Sequence, residues 1–345
     1  MKIEVYSPTI RRKEMDAVLT AMVEDRIGPG EPGRRLVQLA KEYIGCDYCL
    51  ALRSPAVALA AALAALGLER GSGVVVSALS PRYYLKVIAD LGLRPVYCDV
   101  LPSSACIGPA SIEAALSQRE TGLEARCIVL HHVLGFVPDT PAIAEMGIPL
   151  IEDWSRSYGA MTGEERAPSL GIFAIIGLEE RDMLTAGGGA LLYAMNRRDA
   201  SVLRNLEGLP PEYCLPGMNA AMAMVQFKEA RRNLEKRREI ARLYAQSSLQ
   251  TRHERFIQTG NTEYNNYTFP LILKTGMKDV KAYAKRKDIA VENAFEDTVM
   301  GSGAVPSSSC PEAYSLSLRT AVFPLYPRLG SAASGRVAKL IGTLP

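Results

Sequence analysis

The chain has 345 residues, 48% hydrophobic and 22% charged, enough to bury one large core and one smaller one. Its 40 basic residues against 37 acidic leave a net charge of only +3, and no basic run alternates with aromatics as a nucleic-acid groove requires. The N-terminal MKIEVYSPTIRRKEMDAV turns charged too early for a signal peptide, and no apolar run could span a bilayer without charge or glycine, so a cytoplasmic protein without membrane contact is expected.

Between about residues 34 and 200 helical and strand patterns alternate, as in a parallel sheet wrapped by helices. ALAAALAALGLERG (58–71) predicts a helix ending at glycine, GVVVSAL a buried strand, YYLKVIADLGLRP a helix, and PVYCDV the next strand. ARCIVLHHVLG and GIPLIEDWS are further strands whose polar ends lie where a doubly wound sheet places its ligands. After GGGALLYA the long NAAMAMVQFKEARRNLEKRREIARLYAQSSL predicts a helix with a charged face, and Lys236, Arg237 and Arg238 are expected in solvent on it. NNYTFPLIL, DVKAYAKRKDI and a helix after YPRLG predict a small α/β unit. The expected division is a large domain over 1–235 and a small one over 236–345.

Seven cysteines, Cys46, Cys49, Cys98, Cys106, Cys127, Cys214 and Cys310, are scattered, and only Cys46 and Cys49 are close. No second close pair completes a zinc set, and adjacent His131 and His132 would point to opposite faces of a strand, so reduced thiols and no metal are expected.

In their order, several segments together resemble the DegT-type (DegT/DnrJ) nucleotide-sugar aminotransferases. They are EYIGCDYCLALRSPAVALAAALAALGLERGSGVVVSAL, HHVLGFVPDTPAI, IEDWSRSYGA, TAGGGALL, QFKEARRNLEKRREIARLY and CPEAYSLSLRTAVFPLYPRL. The resemblance implies an α/β protein of pyridoxal-phosphate transferase fold type I, with a large, mostly parallel doubly wound sheet and a small C-terminal domain. It also implies a lysine bonded covalently to the cofactor, a Ser-Gly-Thr turn and an upstream serine on its phosphate, and an aspartate on its ring nitrogen.

Counting back from Gly188 and Gly189 puts Arg181 at the lysine position, and no lysine occurs between Lys86 and Lys228. A guanidinium, with a pKa above about 12, is neither a useful nucleophile nor a base. The phosphate turn becomes Ser54, Pro55, Ala56, and the upstream serine becomes Ile176. An asparagine contributed by the partner subunit aligns with Glu212. The ring-stacking aromatic falls in the loop Ser80 to Tyr84, with the register on Pro81 and a tyrosine such as Tyr84 as substitute. Asp153 matches the family aspartate, Arg156 replaces a glutamine and Tyr158 a histidine, and VENAFEDTVM contains no histidine.

The expectation is therefore a homologue that has lost transamination, takes no cofactor and has no catalytic residue. Asp153, Arg156, Ser54, Ala56 and Tyr84 mark its vestigial pocket, and its role is binding, assembly or regulation in sugar, cell-envelope or antibiotic biosynthesis. The alternative is an enzyme of altered chemistry on a nucleotide sugar, an aminotransferase or dehydratase-like, that uses pyridoxal phosphate. The resemblance also implies a homodimer, or a heterodimer with an active paralogue, and an anionic small molecule or nucleotide sugar as ligand. An Arg181 to Asp153 ion pair is expected to fill part of the pocket; the competing arrangement converges Arg82, Arg156 and Arg181 on an anion.

Overall fold

Helices and strands alternate through most of the chain. Helices α1 (Arg12–Val23) and α2 (Glu31–Ile44) lead into β1 (Tyr48–Leu52), α3 (Pro55–Ala65), β2 (Gly73–Ser77), α4 (Tyr83–Asp90) and β3 (Arg94–Cys98). Next come α5 (Pro109–Gln118), β4 (Ala125–His131), α6 (Thr140–Ala144), β5 (Leu150–Asp153), the short β6 (Met161–Thr162) and β7 (Glu165–Arg166), and β8 (Phe173–Gly177). Then β9 (Ala190–Ala194) and α7 (Arg197–Arg204) lead to the long α8 (Gly217–Ser248). The C-terminal part holds β10 (Thr262–Glu263), β11 (Phe269–Ile272), α9 (Met277–Lys285), β12 (Glu292–Asn293), α10 (Pro311–Arg319), β13 (Thr320–Phe323) and α11 (Ser331–Ile341). The computed structural model describes residues 2–118, 122–206, 208–258 and 261–345.

The large sheet is seven-stranded in the order β1-β9-β8-β5-β4-β2-β3. Its pairs are parallel except those of β9, which runs antiparallel to both β8 and β1. Side chains alternate across the sheet and divide the core in two. Val74, Val76, Cys127, Val129, Ile151 and Ile175 face a cluster capped by α3, while Val75, Ile128, Leu130 and Leu150 face the opposite layer. Helix α3 is alanine-rich and lies close to its face, with Ala58, Leu59, Ala62 and Leu63 all buried. A change such as Leu63→Ala would leave a cavity there costing about 2–5 kcal/mol.

A second, three-stranded antiparallel sheet, β11-β13-β12, packs with α9, α11 and the C-terminal half of α8. The boundary drawn at 235/236 falls inside the continuous α8. Ile3 bridges Ile289 and joins this smaller core, so the extreme N-terminus lies with the C-terminal unit.

The charged run on α8 departs from expectation at Arg237, which is 8% exposed and donates to the carbonyls of Tyr267 at 2.6 Å and Leu325 at 2.9 Å. The helical phase turns this one arginine inward, where carbonyls at the base of the small sheet replace water. Burial lowers its pKa to about 10. The cysteines are all free, and six of them are buried. Among the described residues no helix is long and apolar enough to cross a membrane, and no cluster of ligating side chains could hold a metal.

Candidate functional site

Strands β4, β5 and β8 end side by side, so their last residues and the following loops form one edge. Register pairs His131 with Asp153, and alternation sends successive residues to opposite faces. On one face His131 Nδ1 lies 3.3 Å from Asp153 Oδ2. On the other, His132 Nδ1 is 2.6 Å from Ser157 Oγ and its Nε2 is 3.6 Å from Glu152 Oε2. The opposite-face expectation for the histidine pair holds, and each histidine finds its own carboxylate.

Asp153 is 2% exposed and fully engaged. Its Oδ2 accepts from the Tyr84 hydroxyl at 2.5 Å, and its Oδ1 accepts from the Ser155 backbone N–H at 3.0 Å and from the Ser155 hydroxyl. Burial pushes its pKa up, but His131, Ser155 and Tyr84 together outweigh that and hold the carboxyl well below its usual range. For His131 burial dominates over the pull of Asp153, so its pKa is lowered and the ring stays neutral. Its Nε2 is buried without a hydrogen-bond partner. Tyr84 reaches the carboxylate from the first turn of α4, wedged edge-on between Tyr83 and His131 at centroid distances of 4.9 and 6.1 Å.

Arg181 departs from expectation. Its guanidinium donates to Glu292 of β12 at 2.9 Å and lies 4.6 Å from the centre of the Tyr6 ring. It does not meet Asp153, because the loop after β8 turns its side chain toward the small domain, where an acidic partner and an aromatic face are available. The three-arginine alternative fails as well: Arg82 lies beside Asp297 at 3.8 Å, with both side chains largely exposed.

Arg156 does enter the cleft, with its guanidinium 5.6 Å from the Tyr267 ring centre. Burial disfavours its charge, yet Tyr267, Tyr6, Asp182 and Asp153 around it raise its pKa. Asn265 fixes the arginine's backbone by donating to the Arg156 carbonyl at 2.8 Å and that of Tyr158 at 3.1 Å. The turn that accepts this segment needs Gly135, whose φ is +86° and where a Cβ would stand 2.7 Å from Tyr267.

One residue of this edge escaped the sequence reading, Asp182. The Asp182 carboxylate accepts from the Glu179 N–H at 2.9 Å, and it sits so close to Gly177 that a Cβ there would be 2.2 Å from its oxygen. Burial first, then repulsion from Asp153, raise its pKa to about 7 despite the Glu179 N–H and Arg156. The only available signal was its place beside Arg181, the position expected for the lysine, since burial is invisible in the sequence.

At the start of α3, Ser54 is the N-cap and its hydroxyl accepts from Val57 N–H at 3.2 Å; Pro55 opens the helix and Ala56 follows without a polar group. Ile176 is buried in the sheet, Tyr158 is buried beside Phe227, and Glu212 is exposed.

The sheet order, with its single reversed strand, is that of the pyridoxal-phosphate transferase fold type I, and an aspartate ends its central strand. The chain belongs to the DegT/DnrJ/EryC1/StrS aminotransferase family, whose model matches residues 8–342. An L-glutamine:2-deoxy-scyllo-inosose aminotransferase of Streptomyces paromomycinus is 30% identical over 230 residues, covering 63% of this chain and 51% of the relative. The matched region thus spans about half the length of the curated relatives. A putative sugar aminotransferase from Streptococcus pneumoniae in its PLP form superposes with a TM-score of 0.88 at 16% identity, covering 99% of this chain and 98% of the other. The E. coli GDP-4-keto-6-deoxy-D-mannose-3-dehydratase with bound hydrated PLP gives 0.85 at 16% identity, covering 99% of both.

These neighbours overturn the expectation that no cofactor belongs here: the family is one of aminotransferases, and both solved relatives hold pyridoxal phosphate. The residues of this chain fit only part of what that cofactor uses. Asp153 stands ready as an anionic partner for a ring nitrogen, but Tyr84 occupies its outer oxygen and would have to swing away. No amine faces the cleft from position 181, and Ser54 already spends its hydroxyl on the helix. The space between Tyr6, Arg181 and Asp182 is about 20 Å³, room for about one water. As placed, these residues do not fit a covalently held cofactor.

Proposed function

We propose that this family member has given up lysine-dependent amino transfer and keeps a binding role for an anionic, sugar-type small molecule, which the cleft, about 20 Å³ as it stands, must open to admit. What carries the reading is that position 181, where the resemblance leads one to expect the lysine, holds an arginine committed to Glu292 and Tyr6 and unable to serve as nucleophile or base. Arg156 supports the second half, because its guanidinium stands in the cleft against an aromatic face rather than in an ion pair. Any pyridoxal phosphate taken up would be held without a covalent bond to the chain.

The test is incubation with pyridoxal phosphate, borohydride reduction and mass spectrometry, followed by an assay of amino transfer from L-glutamine to 2-deoxy-scyllo-inosose, the substrate in the relatives' name. The expected result is no lysine adduct and no transfer. A reduced adduct on one lysine together with transfer overturns the proposal.

A second reading, an enzyme of altered chemistry, has Asp182 in its favour. A carboxyl with a pKa near 7, one residue after the lysine position and facing Arg156, is suited to exchange a proton at neutral pH. Conversion of a keto-sugar that disappears in Asp182→Asn would select this reading over simple binding.

We also propose a homodimer. Met15, Leu19, Met22 and Val23 form one exposed apolar face of α1, with Ile27 just beyond it, and an apolar face of this kind marks a contact surface.

A further inference from the structure

A separate groove of about 350 Å³ lies outside this cleft, between the C-terminal half of α8 and the segment leading to β11, within the size range of small-molecule sites. Its apolar part includes Phe136 and Tyr264, stacked at 4.0 Å with ring planes 2° apart, and Phe256, 5.8 Å from Phe136. Arg238, Arg242 and Arg255 line the same groove. Arg238 lies 3.8 Å from Glu263, whereas neither Arg242 nor Arg255 has an acidic partner among the described residues. Three guanidiniums against one carboxylate leave a local excess of positive charge over an aromatic wall.

The walls are pre-built. Gln258 clasps Val137 from both sides, accepting from its N–H at 3.2 Å and donating to its carbonyl at 2.7 Å. Glu254 exchanges backbone hydrogen bonds with Ile272 at 3.1 and 2.8 Å, so the segment carrying Arg255 is tied at both ends. A site ordered in advance loses little freedom when a ligand enters.

We infer that this groove binds a small organic phosphate carrying a planar ring, with Arg242 and Arg255 on the phosphate and the ring against the Phe136 and Tyr264 wall. The charge excess favours a dianion over a single carboxylate, and the planar forked guanidinium matches phosphate oxygens bidentately. An aromatic wall beside arginines favours a flat ring over an aliphatic chain.

The probe is 4-methylumbelliferyl phosphate, titrated into the intact protein at low ionic strength and followed by fluorescence polarisation. Saturable binding below about 1 mM is expected, weakening with added salt. The double variant Arg242→Ser with Arg255→Ser should lose at least about tenfold in affinity at an unchanged melting temperature, since both side chains are exposed and make no ion pair among the described residues. Arg181→Ala, in the other cleft, should bind the probe like the parent. No saturation by about 1 mM, binding that survives in the double variant, or loss in Arg181→Ala overturns the site. Phthalate binding as tightly as the probe overturns the assignment of phosphate.

Discussion

The Tyr84 hydroxyl donates to Asp153 Oδ2 at 2.5 Å, so the tyrosine expected from the sequence to stand in for a ring-stacking aromatic instead caps the carboxylate expected to meet a ring nitrogen. Removing it tests how much the capped state matters. Tyr84→Phe is expected to destabilise the fold by about 1–3 kcal/mol, because Oδ2 keeps only His131 as partner. A denaturant double-mutant cycle with Asp153→Asn should give a coupling of about 1 kcal/mol or more, and additive effects would show that the bond contributes nothing.

The same pair predicts an acid response. A depressed carboxyl contributes stability that is present above its unfolded pKa and lost as pH falls through the folded one. Tyr84→Phe removes one of the donors holding that pKa down, so acid unfolding monitored by circular dichroism should begin at a higher pH than in the parent.

Asp182 titrates with the opposite sign. Its pKa is raised to about 7, so its contribution is full below the ordinary carboxylate range, near about 4, and is lost as pH rises through 7. Asp182→Asn keeps an oxygen for the Glu179 N–H and removes the half-buried charge beside Asp153. It should raise stability at pH 8 by roughly 2 kcal/mol and change little at pH 4, as read from melting curves at the two pH values.

Arg181→Ala should cost no more than about 1 kcal/mol, because its pair with Glu292 is half open to solvent, with side-chain exposures of 54% and 36%. Arg181→Lys should not bring back amino transfer, since Tyr84 still covers Asp153 and Ser54 still caps α3. Transfer from L-glutamine by that single variant would show that the amine alone had been missing.

For the homodimer, Leu19→Glu with Met22→Glu places two charges on the apolar face of α1. Light scattering at micromolar concentration should return a dimer for the parent and a monomer for the variant. A monomeric parent defeats the proposal.

Hydrophobic period and turn residues in the sequence were enough to determine the alternating strands and helices, the long α8 and the edge at which Asp153 stands, because these follow from which side chains must leave water at a spacing of two or about 3.6 residues. The absence of a lysine at position 181 was equally legible. Which way that arginine points was not, because the loop after β8 has no period to fix the phase of its side chains, and its partner Glu292 lies 111 residues on. Arg237 turned inward within a run that looks uniformly solvated because two carbonyls, of Tyr267 and Leu325, converge on it from elements distant in sequence. Tyr84 reaching Asp153, and Asp182 losing its water next to that same carboxylate, likewise arise only once α4, β5 and the loop after β8 meet in space. Composition determines which groups can ionise, but their surroundings, assembled by the fold, decide at what pH they do and what they hold.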